Sequence, residues 1–74
     1  MFKKRELKRA IKESEKEIEK LEKKRTRSSS ALMEAHVNNV PPKAADVEYF
    51  RVYSELIELE RQNLRQLKAE IEKL

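Results

Sequence analysis

His36 is the one histidine in this 74-residue sequence, and Ser28-Ser29-Ser30 is its one run of hydroxyls beside basic residues. A metal centre at His36 would need further ligands converging on it. Only Glu34 and Asp46 stand near, and there is no cysteine to supply a thiolate. No metal site is expected. The serines lie about two helical turns from His36 with no third member to complete a nucleophile–base–acid relay. Arg25 and Arg27 just upstream give them the look of a phosphorylation site, a pattern too common to carry weight alone. The absence of glycine excludes a Gly-rich phosphate loop. Carboxylates abound, but nothing in the pattern forms a pocket that would perturb them. Neither an enzyme nor a cofactor nor a small-molecule substrate is expected.

The cations offer more. Residues 1–30 hold 12 Lys/Arg against 6 Asp/Glu, whereas residues 31–74 hold 6 against 8. Lys3, Lys4, Arg5, Lys8, Arg9 and Lys12 crowd the start of the chain and are the candidate phosphate contacts of a nucleic-acid-associated protein. Glutamates interleave with the basic residues further along, as at Glu13/Lys16 and Glu17/Lys20, and dilute the field. No aromatic residues alternate with the cations to stack on bases. The heptads enclose the basic residues rather than following them, unlike a basic zipper. Nucleic-acid binding is therefore the second reading.

All of these residues must sit on helices. The charged fraction is 43% and there are two prolines, the composition of long helices. The apolar residues keep a period, which separates the chain from a disordered polyampholyte. In the first half Leu7, Ile11, Ser14, Ile18, Leu21, Arg25, Ser28, Leu32 and Ala35 alternate by four and three. In the second half Phe50, Tyr53, Ile57, Glu60, Leu64, Leu67, Ile71 and Leu74 do the same. This is the seam of a coiled coil. Between them, His36-Val37-Asn38-Asn39-Val40-Pro41-Pro42-Lys43 is the strongest break. The expected fold is all-α: a single domain over residues 1–74, an antiparallel coiled-coil hairpin with helices at about 3–37 and 43–73 joined by a Pro41-Pro42 turn. Pro42 suits the first helical position, Asp46 and Glu48 the helix N-terminus, and Asn38 or Asn39 the end of the first helix. The serine run is a weak helical segment and a candidate kink.

Charge suggests a register. Pairing residues whose numbers sum to 85 joins Arg25 to Glu60 in mid-seam and sets Glu22 against Arg61 and Glu15 against Lys68. A slip of one heptad would leave Arg25 facing Tyr53 or Leu67 and strand an unpaired charge in the seam. The same pairing also opposes Glu17 to Glu70, which it does not explain.

Tyr49, Val52, Leu56 and Leu59 form a second stripe beside the first, and one narrow partner helix cannot cover both. Phe50 and Tyr53 are expected in the core. The second stripe is expected at an interface, with a second copy completing a dimeric four-helix bundle or with a larger protein. The first function expected is thus a non-enzymatic interaction module: an adaptor, a regulator or an assembly component. Without a signal-like apolar run or a membrane-length span, a soluble cytoplasmic protein with no membrane partner is expected.

Overall fold

The computed structural model describes the backbone of residues 2–74 and the side chains of residues 3–74. Helix α1 runs from Phe2 to Val37 and helix α2 from Ala44 to Glu72. They fold back on each other as a rod of 57 × 16 × 14 Å, and no strand occurs among the described residues. Continuous strong helix formers carry α1 through all 36 of its residues, the serine run included. The candidate kink does not form, and Ser28 is buried against α2.

The end of α1 is set by Asn39. Its φ is 55°, in the left-handed region that asparagine tolerates better than most residues. The Val40 N–H then donates to the Ala35 carbonyl at 3.0 Å and the Asn39 N–H to the His36 carbonyl at 3.1 Å. These two bonds form a Schellman cap and satisfy carbonyls the helix end would leave open. The chain therefore reverses at Asn38-Asn39, ahead of the prolines. Lys43, in extended conformation, is the N-cap of α2 and makes no side-chain cap bond. Its carbonyl instead accepts from the Asp46 and Val47 N–H groups. Pro42 thus stands one residue before the cap rather than at the first helical position, and Asp46 supplies the negative charge in the first turn.

The early reversal shortens the effective loop and moves the register. The Ser14 hydroxyl donates to Glu60 Oε1 at 2.8 Å and lies 3.5 Å from the Glu60 carbonyl. Arg61 donates to Glu22 at 3.2 Å. These contacts bracket a pairing about one heptad away from the charge-based one. Leu7 gives the same answer: it is 8% exposed, yet the charge-based register would leave nothing opposite it, whereas the shifted one places it level with Ile71. Arg25 and Glu60 accordingly form no ion pair among the described residues. Arg25 comes level with Tyr53, half-buried at the seam's edge, where a long side chain can cover apolar surface and keep its charge in water. That access to solvent removes the penalty that had argued against the slip. Glu22–Arg61 survives because both side chains are long. The expected Glu15–Lys68 pair is not formed among the described residues. Glu17 moves to the level of Arg61, which relieves its conflict with Glu70.

The core is thin. On α1 the buried residues are Leu7, Ser14, Leu21 and Ser28, each seven after the last, and on α2 the buried residue is Ile57, 1% exposed. Ile11, Ile18, Leu32, Leu64, Leu67 and Ile71 are half-buried around them.

Candidate partner interface

Three faces of α2 are chemically distinct. The seam face carries Tyr53, Ile57, Leu64 and Ile71 toward α1. One flank bears an exposed ion-pair ladder: Arg51 donates to Glu48 and, at 2.9 Å, to Glu55, and Arg65 donates to Glu58 at 3.4 Å. The hydrogen bond from Arg51, reinforced by its charge, holds the Glu48 carboxyl below the usual carboxylate range. Glu48 in turn raises the Arg51 guanidinium above its ordinary value. Both groups are fully exposed, so this is local ordering of the helix surface rather than a source of stability.

The other flank is the second stripe. Tyr49, Leu56 and Leu59 are exposed by 54%, 42% and 62%, and Val52 is half-buried beside them. Spacings of three, four and three keep all four on one side. Tyr49 stacks on Tyr53, ring centroids 6.1 Å apart and planes 24° apart, which ties the stripe to the seam. Leu56 and Leu59 have no such support. Farther along α2 the same flank carries Asn63, Gln66 and Glu70 with Leu67 half-buried among them, so the exposed patch is concentrated in the three turns from Tyr49 to Leu59.

Phe50 departs from expectation. It is 36% exposed and lies at the rim of the seam. The shifted register sets it against small residues, and it lines a shallow groove of about 680 Å³ with Arg25, Ser29 and Met33. Tyr53 is half-buried, the partial cover that the same small residues allow. Sequence reasoning also missed Ser54, whose hydroxyl is buried with no hydrogen-bond partner. Its position beside the seam stripe was the available signal.

His36 is exposed at the end of α1. No group of three His, Cys, Asp or Glu side chains that could hold a metal ion occurs among the described residues. Ser29 and Ser30 face solvent while Ser28 is buried, so the run does not act as a unit. Lys3, Lys4, Arg5, Lys8, Arg9 and Lys12 are all exposed, and none joins an ion pair among the described residues. No helix among the described residues is long and apolar enough to cross a membrane. The chain matches no family model, no curated protein and no solved structure.

Proposed function

We propose that this chain is a non-enzymatic protein–protein interaction module that acts through the loop-proximal flank of α2. The observation that carries the reading is the line Tyr49, Val52, Leu56 and Leu59, left largely uncovered by α1 on the same helix whose other flank bears the ion-pair ladder. Buried aromatic and aliphatic anchors supply most of the energy at protein interfaces. The partner is a second copy, a larger protein or both; an adaptor, a regulator and an assembly component all work this way. Leu56→Asp and Leu59→Asp place a charge in that surface while leaving the seam intact. Sedimentation across a concentration series, with binding assays against any partner found, should show the loss of association in both variants. Unchanged association would remove the stripe from the interface.

The second reading is a nucleic-acid-associated protein, favoured by the six exposed cations at the start of α1. Titration with duplex DNA and RNA at two salt concentrations tests it. Phosphate contacts must tighten binding as salt falls, so absence of binding at low salt ends this reading.

A further inference from the structure

The stripe has a neighbour that narrows the choice of partner. The groove beside it is walled by Lys24, Arg27 and Ser28 on α1 and by Asp46, Tyr49 and Tyr53 on α2. Lys20 and Lys23 stand one turn back from Lys24 and Arg27 and extend that wall. In the observed register, residues 20–27 run alongside residues 51–58, level with the stripe. The four cations are exposed, and none joins an ion pair among the described residues. Of the acids nearby in sequence, Glu22 is engaged by Arg61, while Glu17 and Glu19 stand exposed within a turn of Lys20 and Lys23. Asp46, half-buried at the loop end, is the one carboxylate lining this groove. The surface therefore pairs three turns of apolar side chains with a parallel edge of net positive charge, residues 20–27 holding Lys20, Lys23, Lys24, Arg25 and Arg27 against the single acid Glu22.

We infer that this face receives an amphipathic helix of a partner protein, with its apolar side on Tyr49, Val52, Leu56 and Leu59 and a row of Asp/Glu along the edge beside Lys20, Lys24 and Arg27. The inference rests on the interaction reading above and adds the partner's chemistry. A third helix fits the groove between two packed helices at ordinary helix–helix distance. From Tyr49 to Leu59 the stripe extends about 15 Å, room for the i, i+3/i+4, i+7 anchors of a helix-in-groove contact. Acids on the partner's edge would be steered by the cation row and would exclude helices of the opposite charge. A second hairpin stacked stripe on stripe would instead lay one basic row against the other. A nucleic acid would meet the cations but leave Leu56 and Leu59 uncovered.

Two synthetic helical peptides of about four turns test this. Both carry leucines at helical spacing; one has Glu along one edge and the other has Lys there. Fluorescence anisotropy should show the Glu peptide binding at least about tenfold more tightly at low salt, with the preference shrinking as salt rises. Lys24→Gln with Arg27→Gln should remove most of the preference. Leu56→Asp should abolish binding of both peptides, with circular dichroism confirming that each variant stays helical. Equal binding of the two peptides, or a preference untouched in the Lys24→Gln/Arg27→Gln variant, overturns the acidic partner and leaves the interaction face standing. A chain that dimerises and is dissociated by Leu56→Asp overturns it in favour of a second copy. If neither peptide binds and the chain stays monomeric, this inference and the interaction reading fall together.

Discussion

The two halves of the rod are finished to different degrees. In the half away from the loop, Leu7 and Ser14 are buried and Ser14 is bonded to Glu60, and at mid-rod Leu21 is buried and Glu22 is paired with Arg61. Toward the loop, Met33, Val37, Val40, Val47, Tyr49 and Phe50 are exposed, and so are Leu56 and Leu59 on the flank at mid-rod; among the described residues the remaining exposed large apolar residue is Leu74. The same two helices thus make a closed stem and an open head. Heptad spacing alone does not explain the contrast, because it continues through both. The residue sizes do. Near the loop α1 turns Ser28, Ala31 and Ala35 toward a helix bearing Tyr49, Phe50, Val52, Tyr53 and Leu56, and small side chains cannot shelter large ones on both flanks.

The largest test of this contrast compares neighbours at its boundary. Ile57→Ala opens a cavity in the best-packed position and should cost about 3 kcal/mol, enough to unfold much of a small hairpin as read by thermal circular dichroism. Leu56→Asp, one residue away, should change the stability of the isolated chain by no more than about 0.5 kcal/mol. Similar losses in the two variants would mean the head is closed.

A smaller effect is expected at the cap that joins the halves. Asn39→Ala puts a less tolerant residue in the left-handed region and should lower stability by about 1 kcal/mol, whereas Asn39→Gly should hold or raise it. Chemical denaturation of the pair of variants separates the backbone effect from any side-chain role.

The smallest effect belongs to the ion-pair ladder. The Glu48 carboxyl is held below its ordinary value in the folded chain. Whatever it contributes is present above the unfolded carboxylate range and fades as pH falls through the folded value. NMR titration should find Glu48 deprotonating below the ordinary carboxylate range, with the shift removed in Arg51→Gln. An unshifted Glu48 would dissolve the ladder.

Much of the stem was legible in the sequence. Helix limits expected at about 3–37 and 43–73 stand at 2–37 and 44–72, because strong helix formers and one break leave few alternatives. The register was not legible. Two heptad seams match at every slip of seven, and Arg25–Glu60 was a poor arbiter because Arg25 can reach water from either arrangement. The loop's true length depended on one backbone angle at Asn39, and two adjacent asparagines gave two candidates for it. The stripe was visible from spacing. That the basic residues at 20–27 lie level with it was not, since that requires the register.

The spacing of Leu7, Ser14, Leu21 and Ser28 has a mechanical consequence. Large and small alternate, so the stem is a ruler whose true graduation is fourteen residues rather than seven. Sliding α2 by one heptad either way would move Ile57 from a leucine to a serine and Leu64 from a serine to a leucine. Restoring the match takes a slide of about 21 Å, and in a rod 57 Å long that leaves over a third of the seam with nothing opposite. Residue size thus distinguishes registers that heptad spacing alone leaves equal.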